Sequence, residues 1–352
     1  MPAESNERIF ELDVVDTQAG GDVSRIVLGG VDALPGNSVR EKQLFLERHA
    51  DGLRRLLLSE PYGDPAMSVN LVVPPHDPRA QAGYIIMEAM GYPMYSGSNT
   101  ICTATAVLLS GRVTMEEGEQ QLILESPAGL AHISARNQAG KVLSITTQGE
   151  PAYVAQRHLT ANVPGYGPVT YDVVWSGGFY AMVNATALGY TLQREEEPAL
   201  IAFADAFVRK VRPEFVAVHP QLGDVGPLPF LHFMGPVSTT PDGGMRSPSA
   251  TYVHPGVICR SPTGTGTSAR LALMAERGEI GEGQWLDTVS PRGSVFRGTV
   301  LGAAKVGEHR ALHSHITGQA WTLAHLKMVV DLDDPLVDDQ GLHLILNQPR
   351  RR

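Results

Sequence analysis

Twice in this chain, a loop of small polar residues runs straight into a stretch of small apolar residues with the length of a short helix. The first is Met94-Tyr95-Ser96-Gly97-Ser98-Asn99-Thr100, leading into Ile101-Cys102-Thr103-Ala104-Thr105-Ala106-Val107-Leu108. The second is Ser261-Pro262-Thr263-Gly264-Thr265-Gly266-Thr267, leading into Ser268-Ala269-Arg270-Leu271-Ala272-Leu273-Met274. Each apolar stretch stops at a glycine, Gly111 and Gly278. Such a loop presents free backbone N–H groups at a helix N-terminus, where the helix dipole also favours an anion. Two termini that point at each other would grip one carboxylate from both sides. The candidate ligands are the N–H groups of Gly97, Ser98, Asn99 and Thr100, and of Gly264, Thr265, Gly266 and Thr267.

The pivots of the two loops, Ser96 and Thr263, lie nearly half the chain apart. The elements around them repeat in the same order. Two short strands are expected over Asp13 to Leu28 around Gly20-Gly21, then an amphipathic helix over Val39 to Leu58. Strands follow at Ser68–Val73 and Tyr84–Met87, and a meander after the first loop at Leu122–Leu124, Ala131–Ser134 and Val142–Ile145. The second round has strands at Thr170–Val174 and Tyr180–Val183, a helix over Leu192 to Val211, and strands at Phe215–Val218 and Leu231–Met234. A strand around Thr251 precedes the second loop, and Ser294–Val300 and Gly318–Thr322 close the round. Residues 1–8 read as a loose tail. The spacing is too long for a solenoid repeat. It predicts duplication of one α/β unit, with the ligand cleft between the copies.

Composition narrows the partners. A chain of 352 residues with 43% apolar and 18% charged residues can bury a substantial core. A net charge of −9 argues against nucleic acid or an anionic membrane as a partner. No apolar run reaches the ~18 residues of a spanning helix. The start, Met1 to Glu7, lacks the basic and apolar parts of a signal peptide. Two cysteines, Cys102 and Cys259, give no disulfide framework. A cytoplasmic protein is expected, with the oligomeric state open between monomer and homodimer.

The two loops, together with Asp16-Thr17-Gln18-Ala19-Gly20-Gly21-Asp22, Pro127-Ala128-Gly129 and Gly177-Gly178-Phe179-Tyr180-Ala181, resemble the proline racemase family. That family includes proline racemases, 4-hydroxyproline 2-epimerases and trans-3-hydroxy-L-proline dehydratases. The resemblance covers nearly the whole chain. It implies an α/β (α+β) fold of two pseudo-symmetric halves, each a curled sheet around a central helix, as in diaminopimelate epimerase. The halves would be 1–157 with 331–352, and 158–330. It implies cofactor-independent chemistry, with no metal, at the α-carbon of a small cyclic amino or imino acid, so the partner would be a small-molecule carboxylate.

Against this pattern the chain departs where the chemistry lies. The family's early pivot is a thiol or serine and its late pivot a thiol or threonine; here they are Ser96 and Thr263. Ser98 holds the position of the family's early histidine, and Gln18 that of an opening histidine. Cys259 aligns with the aspartate that binds the substrate amine. A two-base racemase built from alcohols lacks a competent base. Three readings follow. One is a dehydratase-like lyase or one-face isomerase, with Ser96, Thr263 and Cys259 in the site. Another is an isomerase or lyase repurposed for a substrate without a ring amine. The third is a carboxylate-binding relative without turnover.

Other residues invite bland explanations. Cys102 lies inside a helix pattern and reads as packing. His309, His313 and His315 read as a turn and strand rather than a metal site. Asp224 and His232 could each supply an acid or base. Glu195-Glu196-Glu197 reads as a solvated helix start. Gly264-Thr265-Gly266 lacks the third glycine and the later carboxylate of a dinucleotide motif.

Overall fold

A computed structural model describes residues 8–347. The expected tail over 1–8 lies outside the described residues except for Arg8. In chain order the first part contains β1 (Ile9–Ala19), β2 (Asp22–Gly29), α1 (Val39–His49), α2 (Gly52–Leu57), β3 (Ser68–Val73), β4 (Ala82–Met87), α3 (Gly97–Leu109), β5 (Gly118–Ser126), β6 (Gly129–Gln138) and β7 (Lys141–Gln148). The second part contains β8 (Ala152–Val163), β9 (Gly167–Trp175), β10 (Phe179–Asn184), α4 (Glu197–Val211), β11 (Phe230–Met234), β12 (Ser238–Thr239), β13 (Met245–Val253), β14 (Val257–Ile258), α5 (Gly264–Glu276), β15 (Trp285–Val289), β16 (Val295–Val306), β17 (His309–Gly318), β18 (Ala320–Asp331) and α6 (Leu342–Ile345).

The pairing of these strands is duplicated. In one set β18 pairs antiparallel with β1, β1 antiparallel with β2, β2 parallel with β3, β3 antiparallel with β4, and β4 parallel with β5. In the other, β8 pairs antiparallel with β9, β9 antiparallel with β10, β10 parallel with β11, β11 antiparallel with β13, and β13 parallel with β15. Antiparallel meanders, β5-β6-β7 and β15-β16-β17, complete each set. The sets join where β7 pairs antiparallel with β17, as at Thr147 and Ile316. We propose to divide the halves by this pairing, at Pro151 and Gln319, which places β8 wholly in the second half and β18 in the first. The last described segment also returns to the first half, where Leu332, Val337, Leu342 and Ile345 share a core with Leu46, Leu53 and Leu57.

Each curled sheet encloses one helix. In α3 all but two of the thirteen residues are buried, and in α5 all but three. Small side chains explain how. Alanine and threonine let the backbone sit close to strands on several sides, and a helix that is apolar all round belongs in an interior. Val15, Ile26, Tyr84, Leu122 and Ile145 pack around α3; Val174, Met182, Leu286 and Val300 pack around α5. Each helix ends as expected at a left-handed glycine, Gly111 (φ 73°) and Gly278 (φ 71°).

Some expectations are displaced. The helix expected over Val39 to Leu58 is two helices, broken at Ala50-Asp51. Asp51 accepts hydrogen bonds from Arg54, Arg55 and Tyr92, which fixes that break. The helix expected from Leu192 begins at Glu197, after a single 3-10 turn in which the Glu196 carboxylate caps the N–H groups of Thr191 and Gln193. Phe215–Val218 is not a strand. Val216 and Val218 are exposed while Phe215 packs on Phe179, so the apolar run covers the core without joining the sheet. Among the described residues no helix is long and apolar enough to cross a membrane.

Candidate active site

Ser96 and Thr263 stand at the N-terminal ends of α3 and α5, and the two helices meet there. A β-carbon on Gly97 would lie 3.2 Å from the Gly264 α-carbon, and one on Gly264 would lie 3.2 Å from the Gly97 α-carbon. Only glycine allows both termini to approach so closely. A cleft of about 700 Å³ opens beside this junction, lined from both halves. Ser96, Ser98 and Asn99 line it from one side, and Cys259, Thr263 and Thr265 from the other. Backbone N–H groups of two helix starts therefore converge on one concavity, an arrangement suited to an anion.

The helix starts are built alike. Thr100 donates its hydroxyl to the Ser96 carbonyl at 2.7 Å, and Thr267 donates to the Thr263 carbonyl at 2.9 Å. Thr100 also meets Tyr84, and Thr267 meets Thr288. These bonds use the Thr100 and Thr267 side chains as struts behind the cleft. Each half also sends a glycine turn across the junction. Gly20-Gly21 abuts Arg260 and Ser261, with Gly20 at φ 64° and room for no β-carbon against Ser261. Gly177 abuts Tyr95 and Thr265, and the Tyr180 hydroxyl bonds Thr265.

At the pivots the two starts differ. Ser96 has an ordinary extended backbone (φ −154°), and its Oγ accepts from Asn99 Nδ2 at 3.0 Å. That leaves the Ser96 proton free to point elsewhere, with Ser98 Oγ 3.4 Å away. Thr263 sits at φ 67°, ψ 114°, outside the regions a β-branched residue normally visits. Its Oγ1 is buried and has no hydrogen-bond partner among the described residues. Strain and an unmet hydroxyl at one position are typical of a site shaped for a ligand.

Two carboxyl groups that the motif reading passed over share this cleft. Glu88 follows β4 directly, and its backbone is locked in a mutual N–H to C=O pair with Gly91. Its Oε1 accepts from Asn99 Nδ2 at 2.9 Å. Asn99 Oδ1 in turn accepts from Ser24, Ser68 and Asn70, so the amide is fixed and both Nδ2 protons are spoken for. Burial, helped by the Asp22 charge and opposed by the Asn99 bond, pushes the Glu88 carboxyl up to about 7. Asp22 lies on the β1–β2 turn and accepts the Arg260 N–H at 2.6 Å. Burial raises its carboxyl too, against the hydrogen bonds from Ser261 and Arg260. The sequence held a signal for each. Glu88 interrupts an apolar strand just ahead of the first loop, and Asp22 closes the opening motif.

Cys259 is in the cleft, with Asp22, Glu88 and the Thr263 hydroxyl around it. Burial first, then the Asp22 charge, pushes its thiol up, so it stays a neutral thiol rather than a base. Cys102 is buried in α3 and is pushed up to about 12 by burial. Two residues considered as acids or bases lie elsewhere. Asp224 is exposed and caps the N–H of Gly226. His232 is wholly buried behind α5, bonded to Thr251 and pushed down to about 3 by burial and by Arg270. Gln18 closes its own turn by accepting the Gly21 N–H. His309 stacks on Tyr153 and His313 meets Gln148, both on β17.

Two pseudo-symmetric α/β halves, with their central helices meeting at a shared cleft, define the diaminopimelate-epimerase-like fold. Within it, the sequence model described as proline racemase matches residues 14–341, and the chain belongs to that family. It is 33% identical over 329 residues to a 4-hydroxyproline 2-epimerase of Agrobacterium fabrum, covering 93% of this chain and 94% of that protein. Its fold is similar to a hydroxyproline epimerase of Agrobacterium vitis crystallised with trans-4-hydroxy-L-proline, with TM-score 0.84 and 32% identity over 96% of this chain and 98% of that one. It is also similar to a probable proline racemase of Agrobacterium radiobacter with bound carbonate, with TM-score 0.85 and 31% identity over 94% and 98%.

Proposed function

We propose that this protein removes the α-proton of a hydroxyproline-like cyclic amino acid from one face and expels a neighbouring hydroxyl, a cofactor-independent dehydration. The relative with bound trans-4-hydroxy-L-proline supports the substrate class. The observation that carries the reading is the inequality of the pivots. Glu88, Asn99 and Ser96 form one hydrogen-bonded group on the first side, whereas the second side offers the Thr263 hydroxyl and the neutral Cys259 thiol and no carboxyl of its own.

The substrate carboxylate sits on the N–H groups at Gly97 to Asn99 and Gly264 to Gly266; those of Thr100 and Thr267 are spent on the Ser96 and Thr263 carbonyls. Glu88, poised near neutrality, takes the α-proton; a carboxyl tuned this way is a competent base at neutral pH. The Ser96 proton, freed by the Asn99 bond, hydrogen-bonds the substrate rather than accepting from it. The 3-hydroxyl, which in the trans isomer lies on the same face as the α-proton, departs on the Glu88 side, while Thr263 on the far face hydrogen-bonds the substrate carboxylate. The electron pair of the α-C–H bond becomes the ring double bond as the C–O bond breaks. The proton taken by Glu88 leaves with the hydroxyl as water, and the enamine tautomerises to a pyrroline. The groups on the Thr263 side are a hydroxyl and the Cys259 thiol, which burial makes a weaker acid, so elimination is the easier exit for the carbanion.

The test is a panel of 3- and 4-hydroxyprolines and amine-free ring acids, followed for pyrroline or enol products. Wild type should give pyrroline from a 3-hydroxyproline, Glu88→Gln should not, and Ser96→Ala should be slowed. Wild type that is inert on the whole panel, with epimerase activity gained by Thr263→Cys, would instead mark a repurposed or binding-only relative.

A further inference from the structure

We infer that Asp22 is the cation-binding group of the cleft, so that the ligand must carry an ammonium beside its carboxylate. This rests on the proposed function for the carboxylate site and adds the second pole. Asp22 reaches the cleft from the first half, yet its anchor is the second-half loop. Arg260 donates a backbone N–H to its Oδ1, and Ser261 adds its hydroxyl and N–H. The Gly20-Gly21 turn is wedged against those same residues, and Ser294 ties that turn down by donating to the Gly20 carbonyl at 2.7 Å. The carboxylate is thus held rigidly by main-chain donors.

Among the described residues no side-chain cation forms an ion pair with it. Glu88 faces it from the same cleft and adds negative charge when ionised, and the adjoining Cys259 thiol, being neutral, offsets none of it. The Arg260 guanidinium offsets this least of all the groups that act on Asp22. Arg54, near Glu88, gives one N–H to the Glu88 carbonyl and pairs its others with Asp51. Two half-buried carboxyl groups with so little counter-charge are costly unless a ligand brings a cation. The neighbouring helix starts attract the opposite sign. A carboxylate at Gly97 and Gly264 with a positive group reaching Asp22 is the charge pattern of an α-amino acid. Cys259, which adjoins Asp22, need not carry a charge for the cleft to select amines.

Calorimetry with L-proline and with tetrahydrofuran-2-carboxylate, the same ring without the ammonium, tests this. Wild type should favour L-proline by about tenfold or more. Asp22→Asn keeps the acceptor for the Arg260 N–H, so its melting temperature should hold while the preference falls to near parity. The double variant Asp22→Asn/Cys259→Asp returns a carboxylate next door and should restore the preference. Carbon-detected NMR of Asp22 in the wild-type protein gives a second reading. Its titration should move to lower pH with L-proline and not with the ring ether. Equal affinities for the two ligands in wild type, or a preference that survives Asp22→Asn, overturns the ammonium site while leaving the carboxylate site standing. Binding of neither ligand overturns both.

Discussion

The two halves place different chemistry at matching positions. β4 and β13 match, and the residues that follow them differ: Glu88 directly follows β4, and His254 directly follows β13. Asn70 and His232 correspond on β3 and β11, and Asn99 and Gly266 on the helices. In the first half, Asn99 fills the space under the helix start and relays a hydrogen-bond network from Ser24, Ser68 and Asn70 to Glu88 and Ser96. In the second, Gly266 leaves that space to His232 and Thr251, which bond each other and stay behind the helix. His254 turns away towards Tyr252 and Asp205. Duplication therefore preserved the backbone cradle on both sides, while only the first half delivers carboxyl groups, Glu88 and Asp22, to the cleft. A site with one active face follows from that inequality.

The comparison can be broken most directly at Glu88. Glu88→Gln should lower α-proton removal by roughly 10²–10⁴-fold, the usual worth of a general base. His254→Gln, just past the matching strand, should cost less than about tenfold on the same reading. A large loss from both would mean that the faces act together. Next in size, Asn99→Ala strands the Asn70 amide and one of the Ser24 and Ser68 hydroxyls, the other turning to its neighbour, at roughly 1–3 kcal/mol for each group left unmet. Chemical denaturation should show a marked loss, with rate lost as Ser96 and Glu88 go free.

Gly97→Ala and Gly264→Ala test what the halves share. Each puts a methyl group 3.2 Å from the opposing backbone. Both should cost about 1–3 kcal/mol by overpacking, and both should weaken carboxylate binding. The smallest effect sharpens the difference at the pivots. Thr263→Gly relieves a left-handed β-branched residue, so the stability lost with the side chain is largely offset, to within ~1 kcal/mol. Ser96→Gly has no strain to relieve and should be the more costly of the two.

The pH dependence separates chemistry from stability. Rate should rise with pH through about 7, as Glu88 ionises, and Glu88→Gln should lose that rise. Stability runs the other way. The folded carboxyl keeps its proton above the ordinary value of 4.5, so folding is favoured below that value and loses stability as pH climbs towards 7. Glu88→Gln should therefore melt higher than wild type above pH 7 and match it near pH 4.

The duplicated loop–helix unit was legible because small polar residues before a small apolar run leave few alternatives to a buried helix start. It singled out Ser96 and Thr263, which stand at the helix starts, and Gly97 and Gly264, which meet at the junction. The strand β8 was missed because its alternation is irregular: Arg157 and His158 sit at register shifts where it pairs with β9. Glu88 and Asp22 were missed for another reason. Their importance comes from burial and from neighbours such as Asn99, Arg260 and Cys259, some far away in sequence. A carboxylate's surroundings cannot be read from its own position. Cys259, by contrast, adjoins the second loop in sequence and lines the cleft, where burial beside two acids keeps it a neutral thiol.

One-face elimination is tested most directly by incubating wild-type protein with trans-3-hydroxy-L-proline and with trans-4-hydroxy-L-proline in deuterated water, followed by proton NMR. The account predicts pyrroline from the 3-hydroxy acid, and from the 4-hydroxy acid at most exchange with retained configuration at the α-carbon. Deuterium appearing at an inverted α-carbon would contradict it, because that requires a proton donor on the Thr263 face.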